Sequence, residues 1–350
     1  MIRFINFLYF LELALNDGKP IMQSARPPDS VKTGDASGFK CMDDILSAWK
    51  KQIDHKLAAS MAENAADIEK NGSHGYYTFI PILSALTRDC IETMTDVTHH
   101  GARYTLWHVL AEAVSNAADA MSAIQKFVFD EKIITLPRLV EILRSNWEGE
   151  DELRLRFLND TPRFGNDLDA PDYYAKEMVD YFVERVGYHA KNYKICIYSP
   201  SIATFSWIIS IGKRIGASAD GRKHKEPIAA NMSPVPGADI SGPVAAINSY
   251  LKLQTNTMAA GAPIDLRLNK HGLYGGEGTN RIAALIKTFI QQGGNMMTLT
   301  ITDSEELKKA IEEPEKYKNL RVRMGGWSAY FVSLSKEAQK IHLRRSEHGF

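Results

Sequence analysis

The sequence predicts a folded chain that combines α-helices with β-strands, and three observations carry that prediction. Segments near residues 42–70, 105–127, 135–143 and 169–185 place apolar residues at helical spacing. Met296 to Thr302 alternates apolar and polar residues, and two β-like stretches near the C terminus are separated by Gly325-Gly326. At 350 residues the chain exceeds the usual size of one hydrophobic core, so one large domain or two closely packed ones are expected. Apolar residues are 44% and charged residues 24%, which supplies a sizeable core and excludes a disordered or collagen-like chain.

The first element is an apolar run after Arg3, with Ile5, Phe7, Leu8, Phe10, Leu11, Leu13 and Leu15. Glu12 interrupts it, Asn16-Asp17-Gly18 ends it, and no small-residue cleavage site follows, so it reads as neither a leader peptide nor a membrane span. It is expected to be a buried helix with a glycine terminator, and a helix apolar on nearly every side needs cover that places the start of this chain in mid-domain. Met42 to about Lys70 follows, with Ile45, Leu46, Trp49 and Ile53 near one face. Thr105 to Phe127 is Ala-rich and reads as one helix carrying Leu106, Val109, Leu110, Ala113, Ala117, Ala120 and Ile124. Thr135 and Pro137 open a helix with Leu139, Ile142 and Leu143, which Asn146 to Gly149 closes; Asp169 to about Arg185 is another. From Gly216 to Pro243 turn chemistry replaces periodicity, marking a long ordered loop or a boundary, with a functional loop and a plain linker both open. Thr302-Asp303-Ser304-Glu305 fits a capping box for a helix that Pro314 ends. Arg321 to Met324 and Trp327 to Val332 then form a strand–turn–strand, after which Ser335 can cap a closing helix.

Forty-two basic residues balance forty-two acidic ones, so the charge points to neither nucleic acid nor a membrane surface, and small molecules or proteins are the expected partners. Cys41, Cys90 and Cys196 are odd in number and far apart, which fits reduced thiols in a cytoplasm rather than disulfides or zinc. His99 and His100 are adjacent, so their side chains point apart, and no third metal ligand accompanies them. On residue types alone, Gly325-Gly326 is hairpin punctuation.

Arg323-Met324-Gly325-Gly326-Trp327-Ser328-Ala329 also resembles the signature of the glycyl radical enzymes of the pyruvate formate-lyase superfamily: an Arg, a small-or-apolar pair, the radical glycine, an aromatic, then small residues. The likeness runs from about Phe4 onward. Leu11 to Gly18 and Thr33-Gly34-Asp35 resemble the stretch after the family's catalytic cysteine loop. Asp220-Gly221-Arg222, Glu226-Pro227, Ser233-Pro234, Gly237-Ala238-Asp239 and Gly242-Pro243 resemble the approach to its radical domain. Glu313-Pro314-Glu315-Lys316-Tyr317 and Gln339 to Arg345 have its spacing around the glycine.

The resemblance implies that Gly326 is the catalytic residue and stores a backbone radical. Such a radical is stabilised when Cα flattens and delocalises between the amide nitrogen and the carbonyl, and glycine has no Cβ to hinder this. Gly325 then serves loop geometry, and Trp327 packs over the loop. In the family the radical takes hydrogen from a cysteine on an opposite loop, and the resulting thiyl attacks the substrate. That loop lies upstream of the segment matched by Leu11 to Gly18, so this chain is expected to lack it and to be inactive alone.

The fold implied is the C-terminal half of a ten-stranded α/β barrel with helices outside: residues 1–215 as the end of the pyruvate formate-lyase-like domain and 216–350 as the glycine radical domain. No cofactor or metal is bound permanently, since an S-adenosylmethionine-dependent activase with an iron–sulfur cluster installs the radical. The implied partners are that activase, the missing N-terminal half or a second copy of the chain, and a small-molecule substrate. The setting is an anaerobic cytoplasm.

Three substrate-binding candidates come from departures. His100 stands where the family has the first glycine of a Gly-Gly-Ala segment, while Asp265 and Met297 stand where it commonly has Asn and a residue of His-x-Gln. These departures argue against pyruvate formate-lyase itself and resemble the arylacetate decarboxylase branch. Dehydratase and formate C-acetyltransferase types remain alternatives, as does a non-catalytic radical carrier or truncated product.

Overall fold

The computed structural model describes residues 2–22, 29–71, 79–204, 207–323 and 327–349. The opening apolar run is two elements: β1 (Ile2–Asn6) runs directly into α1 (Phe7–Leu15). The break falls at Asn6, whose extended backbone and side chain cap the helix by accepting from the Tyr9 amide at 2.9 Å. Gly18 ends the turn at φ 76, where an added Cβ would lie 2.5 Å from the Val31 carbonyl oxygen. Across α1 lies α2 (Met42–Asn71), which buries Ile45, Leu46, Trp49 and Ile53. The Trp49 indole donates to the Phe7 carbonyl at 3.0 Å. A short helix, α3 (Pro81–Leu86), follows at the surface with no buried residue.

The helix expected over Thr105–Phe127 is instead a strand and a helix, β2 (Leu106–Glu112) and α4 (Val114–Ile124), joined by Ala113 at φ 57. β2 is the middle strand of a parallel sheet ordered β1-β2-β3, with β3 spanning Ile197–Ile202. A central parallel strand is covered on both faces, so it reads as a near-continuous apolar run that periodicity cannot tell from a buried helix. Between β2 and β3 come α5 (Leu136–Arg144), capped by Thr135, then α6 (Asp151–Asn159) and α7 (Asp169–Ala190). Asn146, Trp147 and Gly149 all have positive φ after α5, as the expected stop requires.

After α8 (Ile208–Gly212), residues 213–241 form no helix or strand, yet Ile215, Ala217, Asp220, Arg222, Ile228 and Met232 are buried. This stretch is a packed loop and not an exposed linker. It leads to α9 (Gly242–Leu251), β4 (Pro263–Leu268), α10 (Gly275–Gln291) and β5 (Met296–Ile301), the two strands pairing in parallel. The chain then forms α11 (Ser304–Glu312), an antiparallel pair β6 (Arg321–Arg323) and β7 (Ser328–Tyr330), and α12 (Lys336–Arg344). Ser335 caps α12 by accepting from the Ala338 amide.

One apolar core joins the helices to a single face of the three-stranded sheet, through Ile5, Trp107, Val109, Ala111, Tyr198 and Ile202, and continues to Ile264 and Leu266 on β4. Alternation puts Asn6, His108, Glu112, Ser199 and Ser201 on the opposite face, together with Leu106, Leu110 and Ile197, so that face is mixed. A separate small core, Leu307, Ala310, Val322 and Phe331, lies beneath the β6–β7 pair. The segment from Phe79 to Leu106 leaves Phe79, Ile82, Leu86, Ile91, Met94 and Tyr104 exposed.

Candidate functional site

The β6–β7 pair flanks Met324, Gly325 and Gly326 in the sequence. Arg321, Val322 and Arg323 face Tyr330, Ala329 and Ser328, and the Arg323 guanidinium donates to the Ser328 hydroxyl at 3.1 Å. Met324, Gly325 and Gly326 lie outside the described residues. Trp327, the first described residue after them, is half-exposed and lines a cavity of about 280 Å³ with Ile208, Asn231, Asp265, Ile341 and His342.

Asp265 is the buried charged group of this cavity, and four side chains converge on it. Its Oδ2 accepts from Asn231 Nδ2 at 2.8 Å, the Thr298 hydroxyl donates to Oδ1, the Ser233 hydroxyl lies 3.5 Å away, and the Arg345 guanidinium is 3.9 Å away. Asn231 ties this carboxylate to the end of β3. Its Oδ1 accepts from the Thr204 amide at 3.0 Å, and its own amide donates to the Thr204 hydroxyl at 2.8 Å. Asn231 adopts φ 51, a conformation that Asn tolerates better than most residues. His342 is buried among Phe331, Arg267 and Arg345; burial first, and then the two guanidinium groups, push its pKa down to about 3, so it is neutral.

A buried arginine on β4 holds the C-terminal segment in place. Arg267 donates to the carbonyls of His342 and Arg345 and to the Ser304 hydroxyl. Ser346 and His348 both reach Asp239, the latter at 2.8 Å, and Glu347 accepts from the Ser304 amide at 2.8 Å.

The three substrate-binding candidates do not meet. Met297 is in register with Ile264, whose face packs into the main core, whereas Asp265 pairs with Thr298 on the opposite face. His100 lies in the exposed segment, in the left-handed conformation at φ 69, and lines neither cavity that contains Asp265. That conformation is one glycine adopts freely. Asn231, Thr204 and Arg345 escaped the sequence reading; a polar residue between Ala230 and Met232 was the one local signal. Among the described residues, no group of three or more His, Cys, Asp or Glu is placed to hold a metal ion.

Fold and site together define an α/β protein whose C-terminal β6–β7 pair stands on its own small core, with Trp327 lining a cavity. The pyruvate formate lyase-like family model matches residues 2–212, and the glycine radical model matches residues 228–332. The chain belongs to the glycyl radical enzymes of the pyruvate formate-lyase superfamily. It is 29% identical to (2S)-3-sulfopropanediol dehydratase of Klebsiella oxytoca over 98% of this chain and 42% of that protein. It is 26% identical to indoleacetate decarboxylase of Tractidigestivibacter scatoligenes over 76% of this chain and 33% of that protein. The glycerol-bound B12-independent glycerol dehydratase of Clostridium butyricum superposes with a TM-score of 0.88 at 30% identity, covering 99% of this chain and 43% of that one. The chain thus spans less than half the length of these relatives. No helix of the described residues is long and apolar enough to cross a membrane.

Proposed function

We propose that this chain carries the radical of a glycyl radical lyase on Gly326, and that the cysteine which uses it lies in polypeptide equivalent to the rest of its relatives' length. The observation that carries this reading is Arg323-Met324-Gly325-Gly326-Trp327-Ser328 between two paired strands, beside a cavity that Trp327 lines. The Gly326 Cα radical would take the thiol hydrogen, forming a C–H bond as the S–H bond breaks, and the thiyl would then act on a small-molecule substrate. A separate activase, using S-adenosylmethionine and an iron–sulfur cluster, would install the radical. Residues 1–215 and 216–350 would complete a ten-stranded barrel with the remaining polypeptide. The exposed apolar segment from Phe79 to Tyr104 is the surface that this polypeptide, or a second copy of the chain, would cover. The isolated chain would be inactive, and its anaerobic setting the cytoplasm.

The bond broken would be carbon–carbon or carbon–heteroatom. Likeness to indoleacetate decarboxylase supports an arylacetate decarboxylase-type reaction. A dehydratase-type reaction draws support from a relative of that activity matched over 98% of this chain. Anaerobic treatment with an activase proven on another family member should give a spin-resonance doublet from one α-hydrogen, absent in Gly326→Ala. Air should then cut the backbone at Gly326; no signal together with an uncut chain would sink the reading.

A further inference from the structure

The carboxyl ends of β1 and β2 meet at another cavity, which shares no lining residue with the one beside Trp327. Asn6 and Glu112 are the last residues of these strands and are paired in register. They are 4% and 1% exposed, and Asn6 Nδ2 donates to Glu112 Oε2 at 3.3 Å. Parallel sheets in α/β proteins present ligands at the carboxyl ends of their strands. The volume here, about 440 Å³, falls in the range of small-molecule sites. Phe10, Ile211 and Ile215 give apolar walls, and the Tyr9 hydroxyl makes no hydrogen bond to another described residue. Two exposed cations, Lys213 and Arg214, stand at the rim. Lys213 has Glu337 3.7 Å away in an exposed pair, whereas Lys56 is held by Asp29 at 3.0 Å.

We propose that this cavity binds a short-chain organic acid with a hydroxyl or ammonium group at its other end. The acid group meets Lys213 and Arg214, and the hydroxyl or ammonium meets Glu112 and Asn6. A carboxylate accepts hydrogen bonds and donates none when ionised, so Glu112 selects a donor; the rim cations select an anion; the apolar walls match the carbon chain between. The site stands independently of the radical chemistry.

Saturation-transfer NMR on the 350-residue chain tests this with γ-hydroxybutyrate and γ-aminobutyrate, and with butyrate and butanol as one-ended controls. The two-ended compounds should bind saturably, and the controls about tenfold more weakly or worse. Lys213→Ala combined with Arg214→Ala should weaken the two-ended compounds about tenfold and leave butanol unchanged. Glu112→Gln should weaken γ-aminobutyrate more than γ-hydroxybutyrate, because only the former loses a charge pair. Equal binding of all four compounds, no saturable binding by either two-ended one, or indifference to the rim pair overturns the assignment. Because Glu112 is buried, the exposed rim pair decides the matter if Glu112→Gln fails to fold.

Discussion

Asn231→Ala isolates the bridge between the two parallel sheets. The substitution removes the acceptor of the Thr204 amide and a donor to Asp265 Oδ2, at a site where Thr204 is 0% and Asp265 7% exposed. Each buried orphan costs about 1–3 kcal/mol, with Asp265 at the low end because Thr298 still donates to it. Holding alanine at φ 51 adds about 1 kcal/mol. The expected loss is about 3–5 kcal/mol. Asn231→Gly loses the same hydrogen bonds without the conformational cost and should be about 1 kcal/mol less harmful. Urea unfolding of the three proteins, with unchanged m-values, reads this directly. A glycine variant as unstable as the alanine one, or an alanine variant within about 1 kcal/mol of the parent, would refute the reasoning.

Other expectations concern stability, pH and association. Glu12 is buried and accepts from the Ile21 and Gly216 amides at 2.7 and 2.8 Å, and burial pushes its pKa up to about 7. A folded pKa raised above the unfolded 4.5 means that its stabilising share is whole below about pH 4.5 and is lost as pH rises through 7. Stability between pH 5 and 8 should therefore fall more steeply in the parent than in Glu12→Gln, by on the order of 3 kcal/mol; parallel slopes would count against it. Gly18→Ala should lower stability by about 2 kcal/mol or more, since the new Cβ meets the Val31 carbonyl at positive φ. Ile82→Ser with Leu86→Ser and Met94→Ser should reduce self-association in sedimentation velocity, while shifting folding stability by under about 0.5 kcal/mol per site.

Elements that announce themselves locally were legible. Thr135 with Pro137, and Ser335, marked helix starts that the structure contains, and Trp49 with its neighbours lay on a buried face. What failed was information carried by neighbours. Leu106 to Glu112 is a strand because β1 and β3 flank it, and nothing within the Ala-rich run records that. β3 and β4 went unread for the same reason. The β-like stretches on either side of Gly325-Gly326 were read locally, and what surrounds the β6–β7 pair was not. Asp265 proved to line the cavity beside Trp327, but Met297 is one register step away and faces the other side, a distinction that only strand pairing decides.

The clasp formed by the last residues has a bearing on damage. Its inner halves, Asp239, Arg267 and Ser304, precede Gly326 in the chain, and its outer halves, His342 and Arg345 to His348, come after it. Severing the chain at that glycine removes one covalent link but none of these bonds. A nicked molecule would then travel as a single particle in native buffer and part into two pieces only in denaturant, so the wound would stay hidden from any measurement of native size.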